Sequence, residues 1–99
     1  MTGFKKLENS LIDVIKEEQA KLGFKEEKIH LYYPLLSLNH FFSVLDSADE
    51  MEARLQNLPE ELISKLGDVA VSHKGDRFCF YIPEPGSVYV HENMKENEF

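Results

Sequence analysis

The chain has 99 residues, of which 42% are hydrophobic and 29% charged, a composition that excludes an intrinsically disordered protein. This length supports a single domain, because neither half could bury a core of its own. The net charge of −7, with acidic residues concentrated in 46–68, disfavours a surface built to neutralise nucleic-acid phosphates.

Three further features bear on the compartment. No apolar run approaches the roughly 20 residues that a membrane-spanning helix needs. The N-terminal segment has Glu8 and Asn9 where a signal peptide would need an apolar stretch. Cys79 is the only cysteine, so no disulfide can form within the chain, which suits a reducing environment. We therefore expect a cytoplasmic protein with no membrane partner.

The first predicted element is an amphipathic helix from Phe4 to Leu22. Its apolar residues recur at intervals of three and four, which places them on one face. These residues are Phe4, Leu7, Leu11, Val14, Ile15 and Leu22. Gly23 follows directly and is typical of a helix stop, because glycine readily adopts the left-handed cap conformation.

Residues 29–45 form the most apolar segment and contain no charged residue. Apolar residues at 29, 31 and 33 predict a short strand, with Tyr32 on the side away from the core. Pro34 suits the first turn of a second helix. Leu35–Leu45 is apolar around most of a helical circumference, which predicts a buried helix with Phe41 in the core.

The acidic segment that follows predicts two helices. Ser47 and Glu50 fit a capping box for a helix over 48–58. Pro59 interrupts that helix and begins a short helix or a kinked continuation, which ends at Leu66 because Gly67 is a stop signal.

The last third of the chain has the two-residue period of strands. Residues 69–72 and 77–82 flank a hairpin signal at His73-Lys74-Gly75-Asp76, in which a two-residue loop could be Lys74-Gly75 or Gly75-Asp76. A two-residue loop places the valines of the first strand beside Phe78 and Phe80, whereas a three-residue loop places them opposite Cys79 and Tyr81. Burial favours the two-residue loop.

Beyond the hairpin we expect a turn at residues 83–86 and a further strand over Ser87–His91. A flexible polar tail is expected over 93–99. Residues 1–92 then form one globular domain. The elements together predict an α+β fold with a three-helix core and a C-terminal antiparallel hairpin or small sheet.

The order of elements over roughly residues 4–82 is similar to that of winged-helix domains: helix, strand, helix, helix, strand, tight turn, strand. This resemblance implies a recognition helix at Ala48–Leu58 and a wing at His73–Arg77. A three-helix domain with an ordinary terminal hairpin is an alternative of equal weight.

A second resemblance is carried by two short motifs. LYYPL at residues 31–35, followed by LNHFF at 38–42, resembles the central signature of a family of short, functionally uncharacterised bacterial proteins. The resemblance implies no chemistry, because that family has no assigned activity.

Nucleic-acid binding is the less favoured function. The implied recognition helix carries Asp49, Glu50 and Glu52 against Arg54 and Gln56. Three carboxylates facing a phosphate backbone are repulsive in sum. A nucleic-acid-binding winged-helix regulator is for this reason the alternative interpretation and not the favoured one.

No catalytic or metal motif is recognisable in the sequence. His40, Ser43 and Asp46 would lie side by side on one helix, where the imidazole cannot bridge serine and carboxylate. No two residues among the histidines and Cys79 have the spacing of a zinc motif. We therefore expect no enzyme activity, no cofactor and no metal.

A protein-interaction module is the remaining interpretation. Tyr32, Tyr81 and Tyr89 fall on predicted strand faces opposite the core, and tyrosine is common at protein interfaces. The alternative is that these rings pack under the tail or the first helix. The acidic group Asp49, Glu50 and Glu52 would suit a basic partner surface. The predicted partner is a protein, either another copy of the chain or an unidentified one.

Overall fold

The structure is a computed structural model that describes residues 2–23 and 28–96. Within these residues the chain forms five helices and a three-stranded antiparallel sheet, so the predicted α+β class is confirmed. In chain order the elements are α1 (Thr2–Leu22), β1 (Ile29–Pro34), α2 (Leu35–Phe42), α3 (Ala48–Leu55), α4 (Glu60–Leu66), β2 (Ala70–Lys74), β3 (Arg77–Ile82) and α5 (Glu84–Glu96).

Strand β3 is the middle strand of the sheet, with β1 on one side and β2 on the other. Its residues Phe78, Phe80 and Ile82 are fully buried, and the intervening side chains point to the opposite side. Strand β1 adds Leu31 and Tyr33 to the buried side. One side of the sheet therefore lines the core, and the other side points away from it.

The β2–β3 hairpin has the predicted two-residue loop. Lys74 pairs with Arg77, which leaves a turn that begins with Gly75. Gly75 has a φ of 60°, the positive value that the first turn residue of a type II′ hairpin requires. This register places Val71 opposite Phe80 on the core side, as burial favours.

Helix α1 is amphipathic, as predicted. Leu7, Leu11 and Ile15 are fully buried and follow one another at four-residue intervals along one face. The helix ends where Gly23 adopts a φ of 85° and donates its N–H to the carbonyl of Gln19 at 2.9 Å. None of the helices in the described part of the chain is long and apolar enough to cross a membrane.

Helix α2 is shorter than the sequence predicts. It ends at Phe42 rather than Leu45, because Ser43 adopts a left-handed conformation with a φ of 56°. The Asn39 side chain then holds the following loop. Its amide donates to the Asp46 carbonyl at 3.0 Å and accepts from the Asp46 N–H at 3.1 Å.

One side of α2 reaches the core. Leu38 is fully buried and Phe41 is half-buried, but Leu36 is 82% exposed. The prediction of a helix buried around its circumference was therefore wrong. The physical reason for the difference is that α2 has only eight residues and contacts the core along a single stripe.

The predicted capping box of α3 is confirmed. The Ser47 hydroxyl accepts from the Glu50 N–H at 3.2 Å, and the Glu50 carboxylate accepts from the Ser47 N–H at 2.8 Å. The helix ends at Leu55, before the predicted end at Leu58. Pro59 then begins α4 as a separate helix.

The segment after β3 differs most from the prediction. A turn and a third strand are expected over residues 83–91, but the structure has helix α5 from Glu84 to Glu96. Ser87 and Val90 are 1% and 0% exposed, and their spacing of three residues is that of a helix face. The strand prediction was wrong because so short a segment fits both periods.

Helix α5 also occupies part of the predicted polar tail. Residues 93–96 are helical, and residues 97–99 lie outside the part of the chain that the structure describes.

The position of α5 depends on Gly86. A Cβ at this residue would lie 2.5 Å from both the Leu66 carbonyl oxygen and the Ile82 side chain, so glycine permits the close approach to α4. On the other side, the buried Gln19 of α1 donates from Nε2 to the Ser87 carbonyl at 3.0 Å. These contacts dock α5 against two helices.

We predict that Leu38→Ala and Leu36→Ala differ sharply in stability although they remove the same side chain from one helix. Leu38→Ala should lower the free energy of unfolding by about 2–5 kcal/mol, because it leaves a cavity in the core. Leu36→Ala should change it by less than about 0.5 kcal/mol. Urea unfolding followed by circular dichroism measures both. Equal losses would show that α2 is oriented differently.

Candidate interaction surface

The side of the sheet that points away from the core carries one continuous set of residues, which we call the outer sheet face. Its members are His30, Tyr32, Pro34, Ala70, Ser72, Lys74, Arg77, Cys79 and Tyr81. All except Cys79 are exposed. Lys74 and Arg77 are cations, and none of the set is an acid. The outer sheet face is therefore an open aromatic patch with two cations, bordered by Asp76 of the turn, on a protein of net charge −7.

Tyr32 is the most exposed aromatic residue of this face, with 56% of its surface accessible. The Arg77 guanidinium lies over its ring, 4.4 Å from the centroid. This cation–π contact is favourable and holds both side chains in place. The pair presents a flat apolar surface next to a charge.

Tyr81 is the second exposed aromatic residue of the face. The Ser72 hydroxyl donates to its phenol oxygen at 3.3 Å, and the His30 ring meets its ring edge-on at 4.8 Å. Tyr81 is 37% exposed, so much of the ring remains available. These two contacts restrict its rotation before any partner is bound.

Cys79 lies between the two tyrosines. Its cross-strand neighbours are Tyr32 and Ser72, and it lines the same shallow hollow as Tyr81. The thiol is free, and the residue is 7% exposed. It is therefore a native chemical probe at the centre of the outer sheet face.

Two of the three predicted tyrosines share this face, and the third does not. Tyr89 lies on α5 instead of a strand, where it is partly buried against the core. Its placement was wrong because it followed from the predicted third strand. Its carbonyl accepts a hydrogen bond from the Asn93 amide at 2.8 Å within the helix.

The predicted acidic residues Asp49, Glu50 and Glu52 lie on α3 and are not part of the outer sheet face. Glu50 is engaged in the capping box with Ser47. Asp49 and Glu52 lie beside His73 of β2. Sequence reasoning does not predict this contact, because His73 is 21 positions from Glu52 and the two lie on different elements.

His73 is held on three sides. Its Nε2 lies 3.1 Å from a Glu52 carboxylate oxygen and 3.7 Å from one of Asp49. Its Nδ1 lies 3.1 Å from the Gly75 carbonyl, and its ring stacks on buried Phe78 at 4.9 Å. The hydrogen bond to the Gly75 carbonyl, followed by the two carboxylates, raises the pKa of His73 above its usual value.

The cation of α3, Arg54, is paired with an acid. Arg54 forms two hydrogen bonds with the Asp46 carboxylate, at 2.8 and 3.3 Å, and its guanidinium lies 5.5 Å from the centre of the Phe42 ring. The surface of α3 is therefore dominated by Asp49, which has 95% of its side chain exposed, and its acidic neighbours.

Comparison with known proteins identifies the family. A family model matches residues 4–99, nearly the whole sequence. The chain belongs to the DUF3877 family. That family is described as a domain of unknown function from an E. rectale gene. No curated protein and no solved structure matches the chain.

DUF3877 membership confirms the resemblance carried by LYYPL and LNHFF and leaves the function to be argued from the structure. In the first motif, Tyr32 faces outward and Tyr33 faces the core, where its hydroxyl hydrogen-bonds to that of Ser10 at 2.8 Å. In the second, Asn39 holds the loop after α2. Much of the signature therefore builds the sheet and its first loop.

We predict that Tyr81→Ala raises the rate of Cys79 modification by a thiol reagent such as DTNB severalfold. The reason is that Tyr81 lines the same hollow as Cys79, so removal of its ring should open that hollow to the reagent. Absorbance of the released product under native conditions measures the rate. The control is Leu36→Ala, which removes an exposed side chain on α2, away from the outer sheet face, and should leave the rate of Cys79 modification unchanged. A rate that Tyr81→Ala does not alter would place the shielding in the backbone.

Proposed function

We propose that this DUF3877 chain is a non-catalytic protein-interaction module whose outer sheet face binds a protein partner that presents acidic groups. The observation that carries the proposal is the open side of the sheet, where Tyr32 and Tyr81 are exposed beside Lys74 and Arg77. Tyrosine and arginine are enriched among residues that dominate binding energy at protein interfaces.

Preorganisation supports this use of the face. The Arg77 guanidinium holds the Tyr32 ring, and Ser72 and His30 hold Tyr81. Side chains that are already ordered lose less conformational entropy on binding. A partner would therefore meet two fixed aromatic surfaces on a strand scaffold that is itself anchored to the core.

Charge supports an acidic partner. Lys74 and Arg77 are the charged members of the outer sheet face, whereas the chain as a whole has a net charge of −7. Complementary charges steer encounter and fix orientation more than they add affinity. The single free thiol of Cys79 suits a reducing compartment, so we propose that this encounter takes place in the cytoplasm.

A binding role is favoured over a catalytic one by the surroundings of Cys79. Its cross-strand neighbours on the outer sheet face are Tyr32 and Ser72, so neither an imidazole nor a carboxylate lies directly opposite the thiol. Cys79 is also only 7% exposed, which limits the access of a substrate to the thiol. The proposed role of Cys79 is therefore packing between the tyrosines.

Site-specific crosslinking tests the proposal. A photoreactive amino acid at Ala70, an exposed position of the outer sheet face, is expected to capture a partner in cells. The purified partner should then bind the chain in solution. Tyr32→Ala together with Tyr81→Ala should weaken this binding by about tenfold or more, the effect of removing interface hot spots. Isothermal titration calorimetry measures the affinity.

Charge variants provide matched controls for that experiment. Lys74→Glu should weaken binding and reduce its dependence on salt, because it reverses a charge at the interface. Lys6→Glu, the same change at an exposed position of α1, should have little effect. The proposal is wrong if partner binding survives both tyrosine substitutions, or if it is lost only when α3 is altered.

We predict that the chain does not bind random duplex DNA, even at low salt. The physical reason is that Asp49, Glu50 and Glu52 repel phosphates and that Asp46 already pairs with Arg54. Fluorescence anisotropy of labelled duplex measures binding. Saturable binding that weakens steeply with salt would restore the winged-helix alternative.

The same anisotropy measurement with a labelled single-stranded RNA tests whether the outer sheet face binds RNA instead of protein. Exposed aromatic residues beside cations also suit stacked bases. Binding that is lost in Tyr32→Ala but kept in Leu36→Ala would reassign the outer sheet face to nucleic acid and overturn the protein partner.

A further inference from the structure

We propose that Asp49 and Glu52 of α3 and His73 of β2 form a binding site for a divalent transition-metal ion, with Zn²⁺ as the best fit. One ligand atom from each residue can be chosen so that all three lie within 4.8 Å of one another. The fold gathers them from two segments, which is why the spacing of residues in the sequence predicts no metal. This site lies outside the outer sheet face.

The distances suit tetrahedral coordination. Ligand atoms about 2.0–2.1 Å from a tetrahedral zinc ion are about 3.3 Å from one another. His73 Nε2 lies 3.1 Å from the Glu52 oxygen and 3.7 Å from the Asp49 oxygen. Small side-chain rotations would therefore complete the site, and Asp49, whose side chain is 95% exposed, is free to make them.

The histidine is oriented independently of the two carboxylates. The His73 ring stacks on the fully buried ring of Phe78, which fixes the plane of the imidazole. The His73 side chain is 16% exposed. The Gly75 carbonyl accepts a hydrogen bond from Nδ1. Metal-binding histidines commonly donate their second nitrogen to a carbonyl in this way, which leaves the lone pair of the other nitrogen for the metal.

The carboxylates of Asp49 and Glu52 would stabilise a positive charge placed between them and His73. When Nδ1 donates its proton to the Gly75 carbonyl, a neutral His73 ring has a lone pair on Nε2. That lone pair points at the Glu52 carboxylate oxygen 3.1 Å away, and the two acceptors repel each other. Either a second proton on the ring or a metal ion removes that repulsion.

The nearby cations do not supply that charge. Arg54 on α3 pairs with Asp46, and Lys74 points to the outer sheet face.

The donor set favours Zn²⁺ over hard cations. One imidazole nitrogen and two carboxylate oxygens suit a borderline metal, whereas Mg²⁺ and Ca²⁺ prefer sets made of oxygen. Three protein ligands leave one coordination position for water or for a side chain of another molecule. The ion would also join α3 to the β2–β3 hairpin.

Titration of the metal-free protein with Zn²⁺ tests the proposal. At mildly alkaline pH, calorimetry should give one bound ion per chain, because a neutral ring no longer holds a competing proton. Glu52→Gln and His73→Gln should each weaken the affinity by about tenfold or more. Glu50→Gln is the matched control, since it removes an acid from the same helix while keeping the capping box.

Spectroscopy of the unaltered chain keeps the test independent of variant folding. Addition of Zn²⁺ should shift the ring signals of His73 in the NMR spectrum and leave those of the other described histidines in place. These are His30, His40 and His91.

Several outcomes would overturn the site. They are an absence of stoichiometric binding, an equal loss of affinity in Glu50→Gln, or Mg²⁺ binding as tightly as Zn²⁺. The first outcome would mean that a proton alone occupies the space between His73 and Glu52. Either of the other two would mean that cations bind the acidic surface of α3 without the proposed ligand set.

Discussion

The burial of Phe78, Phe80 and Ile82 in the middle strand is the constraint on which the rest of the structure depends. Strand β3 is hydrogen-bonded to a neighbour on each side, and side chains alternate along it. Once these three residues line the core, the outward direction of Arg77 and Tyr81 is fixed as well. A slip of one residue in either pairing would turn a neighbouring strand inside out, which core burial opposes. The open outer sheet face is therefore a consequence of the core.

The same strand positions the second candidate site. Phe78 supports the ring of His73 from the core, and the tight turn at Gly75 brings a carbonyl to the other ring nitrogen. Helix α3 then brings Glu52 to the remaining edge of the ring. Neighbouring residues of β2 thus serve opposite sides of the sheet: His73 faces α3, and Lys74 faces outward. The two proposals can be tested separately because their variants do not share a residue.

Charge separates these surfaces. The surface of α3 is negative, because Arg54 is paired with Asp46 while Asp49 is almost fully exposed. The outer sheet face is positive through Lys74 and Arg77. By charge complementarity, the outer sheet face would attract an acidic partner, and the surface of α3 would attract cations.

The sequence by itself determined the local elements. Alternation in 77–82, the glycine at the turn and the amphipathic period of α1 each reflect interactions between near neighbours, and these predictions were confirmed. It also placed Tyr32 and Tyr81 on the outward side. The tertiary structure alone decided that residues 84–96 form a helix. Gly86 packs closely against the Leu66 carbonyl, and the Gln19 side chain donates a hydrogen bond to the Ser87 carbonyl. It likewise decided that His73 meets Glu52. Such contacts join residues far apart in the chain, and no local period or propensity encodes them.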